Sequence, residues 1–179
     1  MKSTKKLTVS ATVVALGVVF MLIGAVFEPL DLAAACIASV LVAFVFAEIG
    51  GAYPYLVWLC TSLISAIVYS AGIMWVAYLF VFGIYPIIKA YIERTAHALW
   101  LPLKLCFAAL SFSVLYVVTV FVLGVPLISE ELFGMPPWVI YLLTALVALA
   151  AFVMYDFYLT AAIRLYYYKL RKKIQNILK

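Results

Sequence analysis

Six long apolar stretches fill this chain, separated by short polar, glycine or proline signals. They run at about 7–27, 30–48, 52–71, 73–92, 102–123 and 138–165. Each is close to the roughly 20 residues a helix needs to cross the hydrocarbon core of a bilayer. Lipid offers the backbone no hydrogen bonds, so a spanning stretch of this kind must satisfy its own, as a helix does. The alternating strands of a membrane barrel are not in the sequence. The pattern predicts an all-α polytopic membrane protein. It reads as a single six-helix transmembrane domain over residues 1–179, with a basic amphipathic tail at 166–179 meant for the inner leaflet.

Composition agrees. Of 179 residues, 70% are hydrophobic and 11% charged, where a soluble chain carries roughly a quarter charged. Lys2, Lys5 and Lys6 ahead of the first run imitate a signal peptide. The apolar core Leu7–Phe27 is too long for one and ends in Glu28-Pro29, so it is expected to stay as a helix. Cys36, Cys60 and Cys106 fall in separate apolar runs without metal-ligand spacing. They read as small buried hydrophobes, with neither metal nor disulfide expected.

The charges set an orientation. With the N-terminus inside and six crossings, all 12 Lys and Arg residues fall on one side: Lys2, Lys5 and Lys6, then Lys89, Arg94 and Lys104, then Arg164 to Lys179. The other side carries Glu28, Asp31, Glu130 and Glu131. This is the positive-inside pattern, with both termini cytoplasmic. The net charge of +5 therefore meets anionic lipid rather than nucleic acid.

The long break in the apolar pattern is the stretch Gly83–Lys104. Pro86 lacks an N–H and so frees the carbonyl of Phe82, bending the fourth run. Lys89, Glu93 and His97 recur every four residues, which predicts that the fourth helix continues along the cytoplasmic surface, with Lys89 and Glu93 as an exposed pair. His97 reads as a surface histidine, Trp100 as an interface anchor and Pro102 as a first-turn residue of the fifth helix. Glu48, Lys104 and Asp156 lie below the inner membrane surface, where lone charges are expensive. A buried network is expected, joining Asp156 to Lys104 or Arg164, with Glu48 as a further member. It would fasten helices or couple to a partner.

Other features are weaker. Ala11 and Ala15 share a face of the first helix, and Gly17 and Gly24 line a second small face; small residues at such spacing permit close helix approach. Thr61, Ser65 and Tyr69 form a polar stripe on the third helix. Hydroxyls there mostly bond their own backbone, and a ligand-lining role is the alternative. The apolar loop Gly124–Pro137 reads as a lid or as a passive connector. No P-loop, H-E-x-x-H, Ser/His/Asp set or CxxC is present. Neither enzymatic activity nor a cofactor is expected.

The size, the six runs, the orientation and the opening KKLTVSATVVALGVVFMLIG together resemble the substrate-binding S components of energy-coupling factor transporters, which import vitamins and micronutrients. The resemblance implies that Ala11 and Ala15 dock on the membrane T component, which works with a pair of ATPases. It implies an outward ligand pocket at the level of Glu28, Asp31, Tyr69, Trp75, Glu130 and Trp138. The acidic outer face suits an anionic vitamin poorly. A different class is also open: a membrane scaffold of the cell envelope, similar in size and span number to the MreD rod-shape proteins. An outward cavity of about 300 Å3 or more with convergent polar groups would mark the transport module.

Overall fold

The structure, a computed structural model, describes residues 3–70, 72–124 and 137–171. Among these residues every regular element is helical. The helices are α1 (Ser3–Val26), α2 (Asp31–Glu48), α3 (Tyr53–Val68), the interrupted α4 (Met74–Ile92), α5 (Trp100–Val117) and α6 (Pro137–Leu165). Five of the helical stretches are long and apolar enough to cross a membrane, and α3, at 16 residues, is a shorter apolar helix. The chain is thus compatible with a multi-pass membrane protein. Glu130, Glu131, the loop between Gly124 and Pro137 and the tail beyond Arg171 lie outside the described residues, as does the side chain of Glu28.

Short links make neighbouring helices antiparallel. A single turn of 3₁₀ helix, Glu28–Leu30, joins α1 to α2. Gly50 and Gly51, both at φ near +63°, reverse the chain between α2 and α3. That left-handed conformation is open to glycine and strained for residues with a Cβ.

Two apolar clusters share α2. One packs Val13 and Met21 of α1 against Ala35, Ala38, Val42 and Val45 of α2, with Val57 of α3 and Tyr78 of α4. The other packs Ala43 of α2 against Val81 and Tyr85 of α4, Ala108 of α5, and Phe152, Tyr155 and Leu159 of α6. α2 and α4 therefore form the middle of the bundle. The alanines of α2 let helices approach on both sides. The small faces of α1 divide between inside and outside. Gly17 abuts Thr61, where a Cβ would stand 3.1 Å from its side chain. Ala11 and Ala15 are exposed.

α4 holds the principal irregularity. Tyr78–Phe82 is a π turn, closed by the Gly83 N–H donating to the Tyr78 carbonyl at 2.7 Å. Pro86 follows in the first turn of the last piece, Tyr85–Ile92. The groups released by the break are taken up by other helices. The Trp58 indole N–H of α3 donates to the Leu79 carbonyl at 2.9 Å, and the Tyr155 hydroxyl of α6 donates to the Phe82 carbonyl at 2.9 Å. The carbonyl that proline deprives of its donor is thus a docking point for α6.

The structure corrects the expected surface helix beyond Lys89. The helix stops at Ile92, and the Arg94 and Thr95 amides donate to the Tyr91 and Ile92 carbonyls three residues back. The Thr95 hydroxyl also takes the Ile92 carbonyl. One 3₁₀ turn, His97–Leu99, then leads into α5. His97 is exposed and lies against Trp100, with ring centroids 4.4 Å apart.

Candidate functional site

Two polar constellations occupy opposite ends of the bundle. The first is a charge cluster where α4, α5 and α6 meet. Asp156 is its hub. Its Oδ1 accepts from the Tyr85 hydroxyl at 2.6 Å and from Lys89 Nζ, and its Oδ2 accepts from Lys104 Nζ at 2.9 Å. Lys89 Nζ also donates to Thr160 Oγ1 at 2.6 Å and to the Asp156 carbonyl at 3.1 Å. Glu93 Oε1 lies 3.1 Å from Lys104 Nζ and 3.5 Å from Lys89 Nζ. Two lysines and two carboxylates cancel, and all three ammonium hydrogens of Lys89 have acceptors.

Lys89 is only 2% exposed, not the surface residue that its spacing with Glu93 and His97 predicts. A buried lysine is tolerated only when paired and hydrogen-bonded, and Asp156 and Thr160, one turn apart on α6, supply both. Tyr85 closes the cluster from the apolar side, with its ring 4.8 Å from Phe152 and 5.5 Å from Phe107. Of the residues expected in one network, Lys104 and Asp156 are brought together. Glu48 and Arg164 stand apart from them. Glu48, at the end of α2, accepts from Arg171 Nε at 3.0 Å instead, because Arg171 follows the π turn Tyr166–Leu170 that prolongs α6. Arg164 points outward and is exposed.

The second constellation is a partly open cleft of about 240 Å3 at the far end. The end of α1, the start of α2, the end of α3 and the start of α4 form it. Asp31, Ser65, Tyr69 and Trp75 supply its polar groups, and Met21 and Met74 part of its apolar wall. Asp31, Tyr69 and Trp75, three of the six residues implied by resemblance, therefore share one cleft. Trp138 does not line it and is exposed at the start of α6.

Glycines shape the walls. A Cβ on Gly24 would stand 3.0 Å from Asp31 Oδ1 and 2.7 Å from the Ala34 Cβ, so the carboxylate lies directly over a position without a side chain. A Cβ on Gly72 would meet the Tyr69 ring at 2.5 Å. Ser65 is 3% exposed, and its Oγ has no hydrogen-bond partner among the described residues; nor has the buried Trp75 Nε1. Ser62, by contrast, donates back to the Trp58 carbonyl at 2.8 Å, as hydroxyls in apolar helices ordinarily do. Thr61, one turn before Ser65, is also buried without such a bond and lies beside the Tyr78 hydroxyl.

A buried polar atom left without a partner is unfavourable by about 1–3 kcal/mol. Two of them facing one cleft make it receptive to a molecule with a donor and an acceptor. The charge cluster is the opposite case, with its donors and acceptors mutually satisfied. Among the described residues no group of three or more His, Cys, Asp or Glu side chains is placed to hold a metal ion. No protein-family model matches this chain, and no curated protein or solved structure matches it either.

Proposed function

We propose that this chain is the substrate-binding subunit of an importer similar to the energy-coupling factor systems. It crosses a bacterial cytoplasmic membrane six times, with both termini inside. The observation that carries the reading is the cleft lined by Asp31, Ser65, Tyr69 and Trp75, with two buried polar atoms awaiting partners. With the basic residues inside, the cleft end faces the exterior and the charge cluster faces the cytoplasm.

Each part then has a task. The cleft captures a small ligand from outside. The exposed Ala11 and Ala15 give α1 a flat face on which a T component can pack closely. Asp156, Lys89 and Lys104 hold α4, α5 and α6 as one body while the subunit tilts to release its cargo. The chain has no nucleotide motif, so the work comes from partner ATPases.

Native mass spectrometry of the full chain, purified from its own membrane, tests the capture step; a retained small molecule is expected. Coexpression with a T component and its ATPases tests the assembly. Copurification is expected, with Ala11→Trp or Ala15→Trp abolishing it while ligand retention persists. Failure to associate with any T component would overturn the importer assignment.

A membrane scaffold of the envelope is favoured by one observation: the cleft is smaller than the roughly 300 Å3 at which ligand pockets usually begin. An empty native spectrum, with an envelope protein retained instead of a small molecule, would establish that second reading.

A further inference from the structure

The chemistry of the cleft walls narrows what it can hold. Asp31 is the only ionisable group of full charge that lines it; no Lys, Arg or His does. The lysines of the charge cluster sit at the other end of the bundle, bound to Asp156 and Glu93. The local field is therefore negative, and low-dielectric walls strengthen it. Tyr69 and Trp75 add two aromatic rings, whose faces attract cations, above all alkylammonium groups. Met21 and Met74 offer soft, polarisable thioethers suited to methyl groups.

The two unpartnered atoms add direction. Trp75 Nε1 is a donor only, so it calls for an acceptor on the ligand. The Ser65 hydroxyl, 3% exposed, both donates and accepts. Gly24 leaves the Asp31 carboxylate seated against the α1 backbone, at the wall of the cleft.

We infer that the cleft binds a compact organic cation: an alkylammonium group set against Asp31 between Tyr69 and Trp75, carrying a short arm with an oxygen or nitrogen acceptor for the Trp75 indole N–H. This rests on the reading of the cleft as a ligand site and gives that site a substrate class. An anionic or purely apolar ligand would leave Asp31 opposed or idle. The limited volume excludes large ring systems.

The test uses the full chain in lipid nanodiscs and three probes of nearly equal shape. Choline is the cation, 3,3-dimethylbutan-1-ol its neutral isostere and 3,3-dimethylbutanoate an anion. Isothermal titration is expected to show choline at least tenfold tighter than the alcohol, and no binding of the anion. Asp31→Asn is expected to abolish the choline preference and leave the alcohol unchanged. Should that variant fail to fold, Trp75→Phe supplies the second measurement, with choline weakened severalfold and the melting temperature in the absence of ligand unchanged. Equal affinities, or preference for the alcohol or the anion, would overturn the cation class while leaving capture intact. If no probe binds, the charge of the molecule carried through purification decides: a cation supports the inference, and a neutral or anionic one overturns it. No probe bound and no molecule carried would overturn both the class and the capture reading.

Discussion

Removing one oxygen at Tyr155 tests how the broken helix is held. Pro86 has no N–H, so the Phe82 carbonyl loses the donor four residues on. The Tyr155 hydroxyl replaces it at 2.9 Å, from a residue that is 4% exposed. Tyr155→Phe keeps the ring, which lies edge-on to Phe82 at 5.0 Å and against Tyr85 at 5.5 Å. Only the hydrogen bond is lost. Hydrogen bonds between membrane helices average about 0.6 kcal/mol, and a buried acceptor left bare costs about 1–3 kcal/mol. A destabilisation of about 1–2 kcal/mol is expected, since no water reaches this carbonyl. At about 2–4 °C for each kcal/mol in a chain of this size, the melting temperature in micelles should fall by several degrees. Pro86→Ala returns an N–H to position 86 and closes the ordinary helix bond. In that background Tyr155→Phe should cost less, giving a coupling of about 1 kcal/mol in the double-mutant cycle. Equal penalties in both backgrounds would refute the claim that proline and tyrosine act on the same carbonyl.

Two further outcomes follow from the packing. Lys89→Met strips one partner from the cluster, and Asp156→Leu leaves two buried lysines facing each other; each should destabilise by about 3–5 kcal/mol. The double variant Lys89→Met with Asp156→Leu should melt above either single one, because Lys104 keeps Glu93. Gly24→Val drives a side chain into Ala34 and the Asp31 carboxylate. A loss of about 1–3 kcal/mol from overpacking is expected in micelles, with ligand retention lost even where the fold survives.

Length and hydrophobicity made the helices readable, because lipid leaves a spanning backbone few choices. The observed helices lie close to the runs: 7–27 is Ser3–Val26, 30–48 is Asp31–Glu48, and 73–92 is Met74–Ile92. The bare Phe82 carbonyl was also readable, since proline chemistry is local. Its donor was not. Tyr155 is 73 residues away, and α6 is apolar around its whole circumference, so nothing in its sequence reveals which side faces α4. The same blindness hid Lys89. The spacing of Lys89, Glu93 and His97 described a surface face, whereas Asp156 and Thr160 draw the lysine inward. The usable signal was the repeat of Asp156 and Thr160 at four residues, which presents a carboxylate and a hydroxyl together. Glu48 went to Arg171 rather than Asp156 because α6 runs on through Tyr166–Leu170 past the predicted end at 165. At the cleft, Asp31, Tyr69 and Trp75 were chosen by depth alone. Ser65 belonged to a recognised polar stripe, but its lack of a backbone bond is visible only in three dimensions.

The account stands on the cleft facing outward and the charge cluster facing the cytoplasm. Side-specific thiol labelling measures this directly, in a full chain carrying Cys36→Ala, Cys60→Ala and Cys106→Ala. Tyr69 at the cleft and Arg94 beside the cluster are both exposed, and each is changed singly to cysteine. A membrane-impermeant maleimide should modify the Tyr69→Cys variant in intact cells and the Arg94→Cys variant only after the cells are opened. Labelling of the Arg94→Cys variant in intact cells, with Tyr69→Cys protected until lysis, would contradict it.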